Sequence, residues 1–304
     1  MRLLIAHLFL TMSSLLAQGV ALPEPTFRDA GYGPHERHKL DVWLAKSDAV
    51  TPLVIFIHGG GWAGGDKKDV PPKLVNFMLA KGVSVASINY RYSIIAPLPA
   101  PVHDAARAVQ FLRSKSVEWK LNPQRFGAYG ISAGATTSLW LACHDDLANP
   151  DSKDLVERES SRLQAAVGMS PQTCLEPAVI TAWMGDQVLQ HPMIARAVGA
   201  KKLEEVKKPR AEWVRLLSEF SPITHVSADD PPVLISNPRV DPLPATSPGS
   251  AIHHALFGMK FQEKAAAVGG SCILRIEEQA TAATPKPEEF LLTHLLKPSS
   301  GVNQ

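Results

Sequence analysis

Two glycine-rich segments carry the residue types that could perform chemistry, and a serine stands at the centre of one of them. Residues 130–134 read Gly-Ile-Ser-Ala-Gly, between a short apolar run and a helix-forming run. In a strand, sharp turn and helix arrangement the Ser132 hydroxyl is exposed at a helix N-terminus, where it can act as a nucleophile. Glycines flank it because a Cβ there would collide with the neighbouring strand and helix. By itself, the pattern fits an ordinary glycine-rich turn equally well.

The second segment, residues 58–61, reads His-Gly-Gly-Gly and directly follows the β-branched, apolar run 53–57. Glycines after a buried strand free backbone N–H groups to point at a ligand, and acyl transfer needs such donors to stabilise an oxyanion. We predict this role for the N–H groups of Gly60, Gly61 and Ala133. A phosphate-binding loop is the alternative, but no Gly-Lys-Ser/Thr sequence follows the glycines.

Other polar residues near these loops are predicted to be structural. His58 is interpreted as a brace of the glycine turn, and Asp66 as another brace of the same loop. Asp104 is predicted to cap a helix or to brace the glycine loop, because it stands before a helical pattern. Arg91 is predicted to be the partner in a buried ion pair.

The elements that must position these groups alternate between strand and helix, which favours a mostly parallel sheet covered on both faces. The sequence predicts surface loop over residues 22–37 and an antiparallel edge strand over residues 40–44. It predicts long helices over residues 102–119 and 252–268, and an irregular helical segment over residues 175–230.

The two motifs, in this order and at this separation, resemble those of the α/β-hydrolase fold. More narrowly, the chain is similar to the HGGG-type esterases and lipases, near the hormone-sensitive-lipase-like and BD-FAE-like (acetyl-xylan and feruloyl esterase-like) enzymes. The resemblance covers most of the chain beyond residue 30 and implies a helical cap insertion over residues 175–230. It also implies a serine ester hydrolase, acting by analogy on a small or polysaccharide-linked acetyl or aromatic ester. Further segments that carry the resemblance are residues 40–44, 89–92, 103–107, 122–126 and 231–234.

A serine nucleophile needs a base and an acid that orients the base, and in this fold the acid precedes the base in the chain. The resemblance places the acid after the predicted strand 233–236, where Asp241 fits; an ordinary turn aspartate before proline is the alternative. The base belongs on the loop after strand 272–276, but residues 277–287 contain no histidine. Its expected position falls near Thr284, whose hydroxyl cannot accept the serine proton near neutral pH.

Three histidines elsewhere are candidates to replace the missing base. His294 lies on the predicted final helix, which runs away from the strand ends, so we predict that it does not reach Ser132. His253 and His254 begin the predicted helix on the active-site side of the sheet. We take His254 as the candidate base and His253 as the alternative. A pocket-lining or helix-capping role is the favoured interpretation of the pair, since relatives with an intact base carry a similar pair.

Composition and the chain start set further limits. The 304 residues carry a formal net charge of +2, which suits one large α/β domain over residues 22–300 and disfavours nucleic acid as a partner. A charged start, an apolar run and small residues predict a secretory signal peptide over residues 1–21, with an N-terminal core helix as the alternative. We therefore expect an exported protein, periplasmic or extracellular, without stable membrane insertion after cleavage. No Cys/His spacing suggests zinc, and no metal or organic cofactor is implied.

Two functional hypotheses follow. The first is a secreted serine carboxylester hydrolase with Ser132, Asp241 and a relocated base. The second is a degenerate member of the fold that binds ligands and hydrolyses little or nothing, and its basis is the histidine-free loop at residues 277–287.

Overall fold

The computed structural model describes residues 20–297. The predicted signal peptide, residues 1–21, lies outside this range apart from its last two positions. Within the described range, no helix combines the length and the apolar character that a bilayer-crossing segment needs.

The centre of the molecule is one sheet of eight strands. The strands are β1 (Phe27–Gly31), β2 (Lys39–Trp43), β3 (Thr51–Ile57), β4 (Ser84–Ile88), β5 (Leu121–Ile131), β6 (Ala165–Met169), β7 (Val233–Asn237) and β8 (Cys272–Ile276). Their order is β1-β2-β4-β3-β5-β6-β7-β8. β2 pairs antiparallel with β1 and with β4, and the remaining neighbours are parallel. The carboxyl ends of the parallel strands therefore meet at one edge of the sheet, where this architecture places ligands.

Helices cover both faces of the sheet. They are α1 (Pro72–Ala80), α2 (Ala100–Ser114), α3 (Ala133–Cys143), α4 (Pro177–Met184), α5 (Met193–Ala197), α6 (Ala211–Glu219), α7 (Pro222–His225), α8 (Pro248–Ile252), α9 (Leu256–Val268) and α10 (Pro287–Leu296). Val54 and Phe56 of β3 pack with side chains of α1 and α10 on one face. Leu53 and Ile55 pack on the other face with side chains of α2, α3 and α9. The apolar run that predicted β3 is thus buried on both sides, as a central parallel strand requires.

The structure corrects three predicted elements. Residues 40–44 were predicted to form an edge strand, but β1 lies outside β2, and Phe27 of β1 stacks on Trp119 with ring centroids 4.5 Å apart. α2 begins at Ala100 and ends at Ser114 rather than spanning residues 102–119, since prolines are tolerated in the first helical turn. The predicted helix over residues 252–268 is broken into α8 and α9 at residues 253–255.

Candidate active site

The serine segment forms a strained turn between β5 and α3. Ser132 has φ 52° and ψ −120°, a conformation that costs a non-glycine residue free energy and that clusters at active sites. A Cβ on Gly130 would lie 2.1 Å from the carbonyl oxygen of Gly134, and one on Gly134 would lie 2.0 Å from that of Ile57. Both positions therefore require glycine. The Ser132 N–H donates to the carbonyl oxygen of Met169 at 2.8 Å, which ties the turn to β6.

The glycine loop after β3 lies directly against this turn. A Cβ on Gly59 would lie 2.9 Å from the carbonyl oxygen of Ile131 and 3.4 Å from the Cβ of Ser132. Gly60 and Gly61 have φ of 93° and 61°, in the region that favours glycine. The three residues predicted as oxyanion donors, Gly60, Gly61 and Ala133, thus belong to two backbone segments that touch beside the serine.

An imidazole contacts the serine, and it belongs to His253. The Oγ of Ser132 lies 2.9 Å from Nε2 of His253, and Nδ1 of the same ring lies 3.1 Å from the carbonyl oxygen of Gly249. Because a carbonyl oxygen only accepts, Nδ1 carries the proton and Nε2 is free to accept from the serine hydroxyl. Burial lowers the pKa of His253 below its usual 6.5, which favours the neutral ring that a general base needs.

Two buried amides hold the backbone that carries this ring. Gln172 Nε2 donates to the carbonyl oxygen of Ile252 at 2.8 Å, and its Oε1 accepts from Thr136 Oγ1 of α3 at 3.1 Å. Asn237 Nδ2, at the end of β7, donates to the carbonyl oxygen of His253 at 3.1 Å. These bonds connect the break between α8 and α9 to the elements around the serine. Sequence reasoning missed both amides, since their only signal is a position just beyond or at the end of a strand.

The structure places the other two predicted triad residues differently. His254 is 1% exposed; its Nε2 donates to the backbone oxygen of Asp241 at 2.8 Å, and its Nδ1 accepts from the N–H of Leu256 at 2.9 Å. Both ring nitrogens are therefore engaged, and the ring ties the loop after β7 to α9. The carboxylate of Asp241 accepts from Nε of Arg239 at 2.8 Å rather than from an imidazole. The structure thus brings together Ser132 and His253, the alternative, and not His254 or the Asp241 side chain.

The loop after β8 takes up other contacts. The Thr284 carbonyl oxygen accepts from Arg275 at 2.7 Å. The Glu277 carboxylate accepts from Ser236 Oγ at 2.8 Å and from Arg275 Nε at 2.9 Å. His294 lies on α10 against Phe290, with ring centroids 4.5 Å apart. The position that the resemblance assigned to the base is therefore occupied by an arginine-centred network.

The polar residues predicted to be structural do brace the loops. His58 stacks on Tyr90 with ring centroids 4.3 Å apart, and burial lowers its pKa to about 4. Asp66 caps the short 3₁₀ helix after the glycine loop. Arg91 pairs with Asp104 through Nη2 at 2.6 Å. The predicted capping role of Asp104 is wrong, because the residue lies inside α2 with its carboxylate buried.

A strained serine between a parallel strand and a helix, beside a glycine loop that follows the neighbouring parallel strand of the sheet, defines an α/β-hydrolase. The chain belongs to the BD-FAE family, whose profile matches residues 40–256.

Relatives and solved structures agree with this assignment. The chain is 29% identical over 222 residues to "Probable carboxylic ester hydrolase LipM" of Mycobacterium tuberculosis, covering 71% of this chain and 48% of that protein. It is 26% identical to "Esterase LipQ" of the same organism, covering 75% of this chain and 52% of the relative. The chain thus spans about half the length of the curated relatives it matches.

Two solved structures have the same fold. A "Truncated form of carbohydrate esterase from gut microbiota" superposes with a TM-score of 0.70 at 21% identity, covering 92% of this chain and 100% of that one. Esterase 2 of Thermogutta terrifontis phosphonylated by sarin superposes with a TM-score of 0.60 at 22% identity, covering 83% and 84%.

Proposed function

We propose that this protein is a serine carboxylester hydrolase in which Ser132 is the nucleophile and His253 is the general base. The observation that carries the proposal is the 2.9 Å contact between Ser132 Oγ and His253 Nε2, on a ring whose Nδ1 faces the Gly249 carbonyl at 3.1 Å. Ser132 Oγ attacks the ester carbonyl carbon while Nε2 takes its proton. The imidazolium returns that proton to the departing alcohol, and a water activated by the same ring then hydrolyses the acyl-enzyme.

Stabilisation of the tetrahedral oxyanion is assigned to the N–H groups of Gly60, Gly61 and Ala133. Within residues 20–297, none of these N–H groups donates to a backbone oxygen of a turn, loop or cap, which supports this assignment. The N-terminus of α3 is the positive end of a helix dipole, which also stabilises negative charge on the oxyanion. Each such donor contributes about 3 kcal/mol to transition-state stabilisation.

The acyl side of the proposed site favours a small group. Met193 at the start of α5 comes within 3.7 Å of the position that a Cβ on Gly61 would occupy, so its side chain narrows the space over the glycine loop. His191 lies beside the proposed base, with its ring centroid 6.3 Å from that of His253. We therefore assign short acyl esters, among them acetyl groups carried by a polysaccharide, as the substrate class. Export through residues 1–21 belongs to this proposal, since such polymers lie outside the cell.

A fluorophosphonate probe and hydrolysis of p-nitrophenyl acetate test the assignment together. Ser132→Ala should abolish labelling and turnover. His253→Gln should lower kcat by at least about a thousandfold, the scale of losing a triad base. His294→Gln, on α10, is the matched control and should leave both readouts unchanged.

Turnover within tenfold of the unmutated protein in His253→Gln would overturn the assignment of the base. The second hypothesis, a degenerate binding protein, predicts neither labelling nor turnover in the unmutated chain. Its basis is the histidine-free loop after β8, and the contact between Ser132 Oγ and His253 Nε2 weighs against it.

A further inference from the structure

Two imidazoles and a carboxylate meet at a point far from Ser132. His144 directly follows α3, Glu219 ends α6 and His225 ends α7. His144 Nε2 lies 3.1 Å and His225 Nε2 lies 3.9 Å from the same oxygen, Oε1 of Glu219. The three ligand atoms lie within 4.8 Å of one another. Ligand atoms around a tetrahedral zinc ion are about 3.3 Å apart, so only small movements separate this arrangement from a coordination site.

The ring of His144 is already oriented as a metal ligand is. Its Nδ1 lies 2.9 Å from the carbonyl oxygen of Asp145, and because that oxygen only accepts, Nδ1 carries a proton. Metal-binding histidines commonly donate one ring N–H to a carbonyl in this way, which fixes the tautomer and aims the other nitrogen at the ion. With Nδ1 protonated, the lone pair of Nε2 faces a carboxylate oxygen, and a cation or a second proton between them stabilises the pair.

A buried tryptophan holds the cluster together without an ion. Trp140 of α3 is 1% exposed, and its ring stacks on His144 with centroids 4.1 Å apart. The ring of His225 meets the same indole edge-on at 6.2 Å. Trp140 Nε1 donates to the backbone oxygen of Glu219 at 2.9 Å. The three elements are therefore fixed against each other before any ion binds, which reduces the ordering cost of coordination.

One contact must change for an ion to bind. His225 Nε2 lies 2.6 Å from the Glu219 carbonyl oxygen and donates to it, so coordination requires the ring to turn away from that oxygen and to carry its proton on Nδ1. The carbonyl oxygen keeps the indole N–H of Trp140 as a donor. The exchange therefore leaves no buried acceptor without a partner, which avoids the full penalty of an unsatisfied buried group.

We propose that His144, Glu219 and His225 form a binding site for a divalent d-block cation, zinc in the first instance, with water completing the coordination. Imidazole and carboxylate ligands in a tetrahedral arrangement suit zinc. His144 stands at the opposite end of α3 from Ser132, and α3 has 11 residues, or about 16 Å at 1.5 Å per residue. The ion has no part in ester cleavage; it joins α3 to α6 and α7 and stabilises the fold.

The full chain, freed of metal with a chelator, is titrated with zinc chloride by calorimetry, and its Tm is measured in parallel. We expect one equivalent of zinc to bind. Free zinc at a hundred times its Kd should raise Tm by roughly 4–5 °C, with turnover of p-nitrophenyl acetate unchanged. Cobalt(II) chloride should give the intense visible bands of tetrahedral cobalt.

Glu219→Gln keeps the shape of the cluster and removes its charge, and His225→Ala removes a ligand outside the tryptophan stack. Each should weaken zinc binding at least tenfold. His294→Gln is the matched control and should bind zinc as the unmutated chain does. The proposal is overturned by the absence of binding up to millimolar zinc, or by binding that persists unchanged in both variants.

Discussion

The substitution Asp241→Asn distinguishes the proposed base, His253, from a base supported by Asp241 in an ordinary catalytic triad. The Asp241 carboxylate accepts from Arg239 Nε at 2.8 Å on an exposed surface, and the backbone oxygen that accepts from His254 is untouched by the change. His253 Nδ1 faces the carbonyl oxygen of Gly249 rather than the Asp241 carboxylate. An asparagine side chain at position 241 therefore changes neither the tautomer nor the orientation of the His253 ring. We therefore expect kcat to fall by less than about threefold.

A triad acid would respond very differently. Conversion of that aspartate to asparagine selects the wrong imidazole tautomer and lowers kcat about 10⁴-fold, or about 5.5 kcal/mol of barrier. The assay is hydrolysis of p-nitrophenyl acetate at neutral pH, with the rate of Ser132→Ala subtracted as background. It distinguishes a loss of kcat of about threefold from a loss of about 10⁴-fold. Glu278→Gln, an exposed acid on the loop after β8, is the matched control. A loss beyond about a hundredfold in Asp241→Asn at unchanged Tm would refute the reasoning.

Three further outcomes follow from the structure. Gln172→Ala removes the donor to the Ile252 carbonyl and should lower kcat about ten- to a hundredfold at nearly constant KM, measured by steady-state kinetics, because the base is displaced rather than lost. Burial lowers the pKa of His253 below 6.5; activity needs the neutral ring, so kcat/KM should rise with pH through a midpoint below 6.5 in a pH–rate profile. Asp104, despite burial, is held at a pKa of about 2 rather than 3.8 by His38 and Arg91, which contributes about 2 kcal/mol of stability above the unfolded pKa. That stability is lost as pH falls through the folded pKa, so the drop in the free energy of urea unfolding between neutral pH and pH 2 should be about 2 kcal/mol smaller in Asp104→Asn.

The turn at Ser132 and the glycine loop could be predicted from the sequence because short glycine motifs directly after apolar runs mark both of them. A Cβ on Gly130 would lie 2.1 Å from the carbonyl oxygen of Gly134, within the same turn; one on Gly134 would meet the carbonyl oxygen of Ile57 at the end of β3, the strand whose apolar run marks it in the sequence. That apolar run is buried on both faces of the sheet. The edge of the sheet was misjudged because β1 is short and largely exposed, so it lacks the alternation that marks a half-buried strand.

The position of the base could not be predicted from local pattern. Residues 252–268 have continuous helical spacing, and the break at residues 253–255 accompanies contacts from Gln172 and Asn237, which lie far away in the chain. Which of the two histidines, His253 or His254, faces Ser132 depends on that break, since the side chains of consecutive residues point in different directions. The cluster of His144, Glu219 and His225 was missed for a similar reason: three separate helices supply it, and no short spacing marks it.

In the proposed site a backbone carbonyl faces Nδ1 of the base, where a Ser-His-acid triad has a carboxylate. This difference has a chemical consequence. In a Ser-His-acid triad the carboxylate fixes the tautomer and also stabilises the imidazolium that forms. The Gly249 carbonyl oxygen fixes the tautomer, but it is neutral and contributes less to the second role. The nearby acids are committed elsewhere, Asp241 to Arg239 and Glu277 to Arg275. As the proposed base, His253 is therefore expected to be weaker than a carboxylate-supported histidine. The same lowered pKa that would slow proton removal keeps the ring unprotonated further into the acid range, so we expect activity to persist there.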